Sequence, residues 1–507
     1  MTKPMRLDFR NFADPELDER LVEYLVRDEA IPRAIHFNRL WAYYKNDLSP
    51  LGAGLADLEA VRSIDSDWAA CARPYTQAQE FGLPARITGR SHLGYGGEGV
   101  PHGAFRRKEV VIENDIGWRV DCGVHYLAGK PVAVESLAES RDLASQIEAV
   151  LRAVWAANGG QALLEEAALL GAIYGFVDLV VRARPVEAGE GASVESRAAS
   201  AVAIEAVEAP RVLPILEEDD YRRLRYWIQT FRKQANRVAD PGAPGAERLL
   251  GRSRPEIDEV EVLEILGPRW WQRYEDGELA GEGENPLGRV PVVHIQNLAH
   301  PYHYEGLGEV EPLVPLQDEL NTRLSDRANR VTFQSFKMYL GRGIEGFEDR
   351  PVAPGRMWAT DNPEASIEEF GGDAESPSEE SHIAELREAM DKVSGVTPLA
   401  AGLLKDQLGN LSSATALRVV LMGTLARLER KQLTYGAGLV EANRMILEAL
   451  DRLGILETPA EARGTRLHWP SPLPENLGEK LAEAKAKRDL GVPAETVLRE
   501  LGYGPDD

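Results

Sequence analysis

The sequence predicts an α+β fold in which a large mixed body comes first and a mainly helical half follows. Helical and strand-like hydrophobic periods alternate through residues 1–305, which is typical of one large α+β unit. After Gly308, apolar side chains recur at mostly four-residue spacing, so long helices take over. The 507 residues, 43% of them hydrophobic, are enough for several folded units with a sizeable core.

The first half carries local signals for each of its elements. Residues 16–48 have helical spacing, and the Gly- and Pro-rich residues 72–104 predict a long loop or arm. Asn114 is placed to cap a helix, and Asp276-Gly277 is a strong hairpin signal. Further helices are predicted at 143–154 and 162–170, and residues 187–200 predict an exposed connection. Strands are predicted at 109–112, 131–135, 176–182, 202–207, 211–216, 224–231, 259–266, 269–274, 278–280 and 289–295.

The second half alternates helices with short irregular segments. A first helix of about 24 residues, on the order of 36 Å long, carries an apolar stripe, and Pro312 and Pro315 fit only its first turns. A small unit rich in Gly, Pro and acidic residues follows, then a helix at 378–393 and a loop. A longer helix at 414–453 is predicted to bend near Gly436 and Gly438. Residues 459–474 predict a linker, and 475–503 a last helical segment. The stripe residues of the first helix are Leu313, Leu316, Leu320, Leu324, Ala328 and Val331.

The net charge and the cysteine content disfavour several functional classes for this protein. The net charge of −24 repels DNA at long range and disfavours a sequence-specific DNA binder, although an acidic surface also serves solubility. Cys71 and Cys122 are the two cysteines, so neither a disulfide framework nor a cysteine zinc site is expected. We expect the protein to be made in a reducing cytoplasm. The longest apolar run, 167–181, is too short to span a bilayer, and we expect no membrane contact.

Motifs for catalysis or cofactor binding fail in their context. Gly94, Gly96 and Gly99 match the letters of a dinucleotide fingerprint, but Pro101 follows where a helix should begin. A phosphate-binding GxxxxGK[ST] loop is missing from the sequence, and so is a GxSxG nucleophile motif. We therefore predict no catalytic residue and no cofactor.

Two clusters of metal-ligand residue types have an ordinary structural interpretation as well. His294, His300 and His303 are close in sequence, and we favour loop packing beside a strand end over a metal site. Three carboxylates of the first long helix, Asp318, Glu319 and Asp326, are interpreted as its solvated face, because arginines interleave with them at ion-pair spacing. Trp270 and Trp271 are expected to pack in the sheet rather than to stack on bases.

The most informative local motif is GLLKDQLGNLSSATALRVV, residues 402–420. Gly409-Asn410 favours a turn, and Ser412 or Ser413 is placed to cap the helix that begins at Ala414. By local chemistry alone, this segment is a helix–loop–helix corner. Its place before a long helix is what links it to a family.

Several segments, in their order along the chain, resemble the bacteriophage portal proteins of tailed phages. DIGWRVDCGVHYLAGKPVAV, from Asp115, is similar to that family's helix ending in a Gly-Lys-Pro turn. NPLGRVPVVHIQN and GLGEVEPLVPLQDELNTRLSDRANRV, from Asn285 and Gly306, resemble the strand before the first stem helix and that helix itself. LGNLSSATAL, from Leu408, resembles the family's tunnel-loop signature. The terminal segment KLAEAKAKRDLGVPAETVLRELGYG resembles the family's C-terminal helices. The chain departs from the family at Ser412-Ser413, where Ser-Gly is common, and residues 75–103 have no counterpart.

The resemblance implies a portal-type fold and a homo-oligomeric ring of about twelve subunits at one capsid vertex, in the virion. An α/β wing would be followed by a helical stem, a small clip, a tunnel loop that constricts the channel, a long helix and a helical C-terminal crown. The implied boundaries are wing 1–305, first stem helix 306–336, clip 337–377, second stem helix 378–396, tunnel loop 397–413, long helix 414–453 and crown 454–507.

The resemblance also implies functional residues and partners. The tunnel-loop residues nearest DNA would be Leu403, Leu404, Lys405, Asp406, Gln407, Leu408, Gly409, Asn410, Leu411 and Ser412. Arg342, Arg350 and Arg356 of the clip would dock partner proteins. The implied partners are the terminase large subunit, the head–tail adaptor, the major capsid and scaffolding proteins, and double-stranded DNA passing without sequence specificity. Two alternatives stay open: another virion connector or tail structural protein, and a phage-encoded hydrolase.

Overall fold

The computed structural model describes residues 17–46, 111, 113–186, 192–238, 257–335, 338–342, 363–364, 366–370, 377–402, 419–472, 477–494 and 497. Within these ranges the fold is α+β, as predicted. The helices are α1 (Glu19–Tyr24, continued by a π-helical turn, Leu25–Glu29), α2 (Ala30–Lys45), α3 (Gly117–Ala128), α4 (Arg141–Ala157), α5 (Gln161–Tyr174), α6 (Val194–Ala201), α7 (Val314–Ser335), α8 (Pro377–Ser394), α9 (Met422–Arg452) and α10 (Leu477–Asp489). The strands are β1 (Ala133–Ser136), β2 (Phe176–Ala183), β3 (Val202–Val207), β4 (Val212–Leu216), β5 (Leu224–Val238), β6 (Ile257–Leu266), β7 (Trp270–Glu275), β8 (Glu278–Glu284), β9 (Val292–Gln296), β10 (Met338–Arg342), β11 (Ser366–Phe370) and β12 (Thr465–His468).

The main core of the body surrounds a three-stranded antiparallel sheet with the order β3-β2-β9. The central strand β2 is buried over residues 176–181 on both faces, which explains its continuous apolar sequence. Helices α5 and α9 both pack against β2, and α9 also packs against β9. Gly438 permits this close approach, because a Cβ atom there would lie 2.4 Å from Cγ1 of Ile295.

A five-stranded antiparallel meander, β4-β5-β6-β7-β8, forms the second sheet. The predicted hairpin between β7 and β8 is confirmed, because Asp276 and Gly277 both have positive φ, 49° and 79°, as a type I′ turn requires. Trp270 and Trp271 are partly buried against the two core clusters, so the prediction that they pack in the sheet is confirmed.

In the second half, a helix, a strand pair, a helix and a long helix follow one another, which fits the predicted alternation of helices with short segments. α7 follows a 3₁₀ turn, Glu311–Leu313, so Pro312 and Pro315 occupy the first turns. β10 and β11 pair antiparallel between α7 and α8, and α9 continues through Gly436 and Gly438 for 31 residues. Among the described residues, none of the helices is long and apolar enough to cross a membrane.

Three predicted elements differ in the structure. Part of the predicted exposed connection is helix α6, whose first turn is capped by the Ser193 side chain. The predicted linker at 459–474 contains β12, which pairs with β1 from Ala133↔His468 to Ser136↔Thr465. Of the strand predicted at 109–112, the structure describes Val111, which is not in a strand and whose N–H donates to Ser325 Oγ at 3.0 Å.

The predicted solvated face of α7 is wrong at Asp318. This carboxylate is fully buried and accepts a hydrogen bond from the Tyr43 hydroxyl at 2.8 Å. The other two carboxylates do pair with Arg323, Glu319 at 2.7 Å and Asp326 at 3.3 Å. Much of the apolar stripe is also covered within the chain, because Leu313, Leu320 and Leu324 are buried, while Val331 is exposed.

Candidate functional site

The helices α7 and α8 pack side by side and are joined by the antiparallel strands β10 and β11. The 22 residues of α7 give it a length of about 33 Å. Arg330 of α7 pairs with Glu379 of α8, and His382 Nε2 lies 3.3 Å from Glu319 Oε1. Burial alone would raise the pKa of Glu319, but hydrogen bonds from Arg323 and His382 lower it. The two helices are therefore joined by charge as well as by apolar contact.

Arg119 of α3 joins the body to the end of α8. Its guanidinium is 2% exposed, lies 3.5 Å from Asp115 and donates to Asp391 of α8 at 2.5 Å. Burial raises the pKa of Asp391 although Arg119 opposes the shift. A buried guanidinium between two carboxylates needs both partners, so this contact fixes where α8 meets the body.

The buried polar face of α7 binds the backbone N–H groups of Val111, Glu113 and Asp115. Three side chains spaced four residues apart each accept a backbone N–H, so they lie on one helix face. Gln317 Oε1 accepts from the N–H of Asp115 at 3.2 Å. Asn321 Oδ1 accepts from the N–H of Glu113 at 3.1 Å, and Ser325 Oγ accepts from the N–H of Val111 at 3.0 Å. Gln317 Nε2 also donates to the carbonyl of Glu113 at 2.5 Å. We call this arrangement the polar ladder.

A buried ion cluster joins α9 to the residues that precede α7. The Glu309 carboxylate is 2.8 Å from Lys431 Nζ and 2.9 Å from Arg427 Nε, both on α9. Burial would raise the pKa of Glu309, but these two cations hold it below its usual value. Arg427 also donates to the carbonyl of Val393 at 3.1 Å, and Thr424 donates to that of Gly395 at 2.7 Å. The start of α9 is therefore tied to the end of α8.

The central residues of the predicted tunnel loop, Leu403 to Ser412, all lie outside the described residues, as does the helix start predicted at Ala414. The described part that leads into them is anchored, because the Tyr126 hydroxyl of α3 donates to the carbonyl of Ala400 at 3.1 Å. Beyond them, Val419 and Met422 are about two-thirds exposed at the start of α9.

The clip arginines are described in part. Arg342 is an exposed residue of β10 and pairs in register with Ser366 of β11. Arg350 and Arg356 lie outside the described residues.

His294 lies on strand β9 and contacts the loop that follows it, and His300 and His303 lie in that loop. His294 Nδ1 lies 2.7 Å from Asp178 Oδ1, and its Nε2 lies 2.7 Å from the carbonyl of Tyr304. His300 and His303 stack with ring centroids 4.0 Å apart. In the described part of the chain, no three His, Cys, Asp or Glu side chains are grouped to hold a metal ion.

Asp178 was not identified from the sequence as a site residue, although it interrupts the apolar run of β2. It is fully buried and also accepts hydrogen bonds from Trp227 at 2.7 Å and Tyr304 at 2.8 Å. Asp178 thus fixes the second sheet and the loop after β9 to the central strand. Because these partners are distant in sequence, the one sequence signal for Asp178 was its position as a charged residue within an apolar run.

The family model described as "Phage portal protein, SPP1 Gp6-like" matches residues 119–503, which is most of the chain. The chain belongs to the phage portal protein family. This portal protein is a structural component of a virion, a portal or connector, as the sequence resemblance implied. The match includes both halves of the fold, the α7–α8 pair and the long helix α9.

Two solved structures are also similar to this portal protein. A chain of "Virion of native gene transfer agent (GTA) particle" is 14% identical, with a TM-score of 0.42, over 77% of this chain and 90% of that one. A chain of "Neck of empty GTA particle computed with C6 symmetry" is 15% identical, with a TM-score of 0.42, over 77% and 91%. No curated protein matches the chain significantly.

Proposed function

We propose that this portal protein forms a closed ring of about twelve copies at one capsid vertex and that double-stranded DNA passes through it during packaging and ejection. The observation that carries the proposal is the α7–α8 pair, which is joined at one end by β10 and β11 and fixed to the body by buried charges at the other. The helix pair is therefore held in place at both ends. Head-to-tail contacts between copies close into rings when the rotation allows.

The proposed layout follows the boundaries expected from the sequence. Residues 1–305 form the wing, 306–336 and 378–396 the stem, and 337–377 the clip at the joined end of the helix pair. Residues 397–413 form the tunnel loop, followed by the long helix 414–453 and the crown 454–507. In support, Arg427 and Thr424 bind the carbonyls at the end of α8, so a loop that leaves α8 and returns at α9 begins and ends near the stem.

DNA would pass without sequence-specific contacts. The net charge of −24 favours a channel to which phosphates do not adhere, since each phosphate that a cation neutralises strengthens binding. The clip would dock the terminase large subunit during packaging and the head–tail adaptor afterwards, and the outer wing would meet major capsid and scaffolding proteins. We propose no intrinsic hydrolytic activity, with synthesis in the host cytoplasm before assembly into the virion.

Electron microscopy of the purified protein, combined with mass photometry, tests the proposal. We expect rings with a central hole and a mass near twelve times the 55.9 kDa subunit. A stable monomer at all concentrations would contradict the portal ring. Stacked or open assemblies without a central hole would favour the second candidate, another connector or tail component. Metal-dependent hydrolysis by the isolated protein would revive the enzyme alternative.

A further inference from the structure

The exposed side of α9 carries an apolar stripe. Leu433 is 74% exposed and Met422 is 66% exposed, and Ala426 and Ala437 are exposed on the same side of the helix. Arg430 is also exposed and lies about one turn before Leu433. We call these five residues the α9 outer face. Contiguous exposed apolar surface commonly marks a contact with another molecule.

Arg430 gives the outer face its charge. Within the described ranges its guanidinium makes no ion pair, whereas the neighbouring cations Arg427 and Lys431 do. Glu429 is adjacent in sequence, but successive helix residues are about 100° apart, so it borders the opposite edge of the stripe. A partner therefore meets an arginine that is free to pair, beside an apolar side chain.

An acidic cleft of about 420 Å³ lies between α3 and α5. Asp121 of α3 and Glu165 and Glu166 of α5 are exposed lining residues, and Val124 and Leu169 are partly buried ones. No Lys or Arg is among the described residues that line it. The two glutamates make no ion pair in the described part of the chain, and Asp121 accepts a hydrogen bond from an uncharged tyrosine hydroxyl at 2.8 Å. The cleft therefore holds negative charge beside apolar side chains.

The charges and the apolar side chains are spaced alike on the two surfaces. Arg430 precedes Leu433 by three residues, and Glu166 precedes Leu169 by three, so each charge lies next to its apolar neighbour on one helix face. Glu165 is four residues before the same leucine, so its carboxylate lies on that face as well. A guanidinium that enters the cleft can therefore donate to two carboxylates while Leu433 contacts apolar side chains.

The two surfaces lie on opposite sides of the α3–α9 pair, as head-to-tail contacts between copies require. Lys431 of α9 points at α3, because a Cβ atom at Gly123 would lie 3.4 Å from its Nζ. Leu433 is two residues from Lys431, about 200° of helix rotation, so the outer face points away from α3. Asp121 and His125 of the cleft are each two residues from Gly123, so this side of α3 points away from α9.

We propose that the α9 outer face of each copy packs against the acidic cleft of the next copy, with Arg430 between Glu165 and Glu166 and Leu433 against Leu169. This contact rests on the proposed ring and identifies surfaces that hold it together. Opposite charges would fix the register of neighbouring copies, and burial of the apolar stripe would provide affinity. Every copy offers one of each surface, so the contact repeats around a closed ring.

Charge reversal on either surface tests the contact in the full-length protein. Arg430→Glu, and separately Glu165→Arg with Glu166→Arg, should each raise the protein concentration at which half of the copies are in rings by at least about tenfold, because like charges then face each other. Mass photometry measures assembly, and circular dichroism verifies that these exposed substitutions leave the subunit folded. The matched control is Arg152→Glu, at an exposed arginine of α4 outside both surfaces, which should assemble like the parent.

Mixing the two variants distinguishes one direct contact from two unrelated ones. An equal mixture should form rings at the same concentration as the parent, because alternating copies pair reversed charges at one contact and original charges at the next. Native mass spectrometry should then find equal numbers of the two chains in each ring. The three substitutions combined in one chain should likewise restore assembly.

Rings that form equally well in the parent and in both variants would overturn this contact and leave the proposed ring standing. Loss of rings in both variants without rescue by mixing would also overturn it, because the two surfaces would then have different partners. Intact rings of Arg430→Glu that no longer bind the major capsid protein would assign the outer face to that protein instead. A parent that forms no ring would overturn the proposed function together with this contact.

Discussion

Glu309 joins the long helix α9 to the residues before α7 through buried ion pairs. Its carboxylate neutralises Lys431, which is only 2% exposed. We expect Glu309→Gln to lower the free energy of unfolding by about 3–5 kcal/mol, because it leaves a buried ammonium without a full counter-charge. Urea unfolding followed by circular dichroism measures the change. Glu429→Gln, on the exposed side of the same helix, is the matched control. A loss no larger than that of the control would contradict the prediction.

The same carboxylate predicts an acid-dependent loss of stability. The cations Lys431 and Arg427 overcome the effect of burial and hold the pKa of Glu309 below its ordinary value of 4.5. A depressed folded pKa gives stability that is present above the ordinary value and is lost as the pH falls through the folded one. Below pH 4.5, the parent should therefore lose stability more steeply than Glu309→Gln. Thermal unfolding of both proteins across this pH range measures the difference. If the ion pairing were unimportant, the melting temperatures of the parent and of Glu309→Gln would fall in parallel as the pH decreases.

In the proposed tunnel loop, single charges should govern how firmly DNA is held. Lys405 is its one cation, beside Asp406. We expect Asp406→Lys with Asn410→Lys to leave rings intact, to slow packaging and to raise non-specific DNA affinity in a salt-dependent way, because each neutralised phosphate releases counterions. Packaging assays and filter binding at several salt concentrations measure both effects. Glu457→Lys with Glu461→Lys, at exposed sites after α9, is the control; equal behaviour of the two variants would make the loop a structural corner.

At the scale of elements, the polar ladder should hold residues 111–115 against α7. Asn321→Leu removes the acceptor for the partly buried N–H of Glu113 and should cost about 0.5–1.5 kcal/mol, the net contribution of one hydrogen bond. We expect faster hydrogen exchange in residues 111–115, with α9 unchanged. Arg327→Gln, on the same helix, is the control. Unchanged exchange in both variants would show that the segment is held by other contacts.

The clip element predicts a separable effect on partners. Arg342 lies on β10, beyond the ion pair that joins α7 and α8. Arg342→Glu with Arg350→Glu should weaken pull-down of the terminase large subunit or the head–tail adaptor while rings persist, because Arg342 is an exposed side chain of the proposed clip. The matched control is Arg27→Glu with Arg232→Glu on the body. Undiminished capture of both partners would remove the docking role of this element.

Local elements were predictable from the sequence, and long-range pairings were not. Periodicity placed α4, α5 and β2 to within four residues at each end, and the Asp-Gly turn located one hairpin. Strand β12 was not predicted, because its partner β1 lies more than 300 residues away in the sequence. Asp318 was misassigned because charged side chains on helices usually face water, and its partner Tyr43 comes from a distant helix. The buried clusters at Glu309 and Asp178 depend on the same kind of distant contact.

At the scale of the whole molecule, net charge should dominate encounters with DNA. Each copy carries −24, so assembled rings should bind duplex DNA weakly, with a shallow dependence on salt. Gel-shift titration over a range of salt concentrations measures the slope. A steep slope would require many phosphate contacts and would contradict a channel that lets DNA slide. Heat-unfolded protein serves as the control for adhesion to denatured chains.

The junction between α2 and the polar ladder has a practical consequence for engineering. Asn114 Nδ2 donates to the carbonyl of Tyr44 at 3.0 Å, so the end of α2 lies beside the residues that precede α3. Closing a connection between two neighbouring fixed points costs entropy that grows only logarithmically, about 0.6 kcal/mol for each doubling of length. A fluorescent or affinity module inserted between these two points should therefore cost little stability, and it would label every copy.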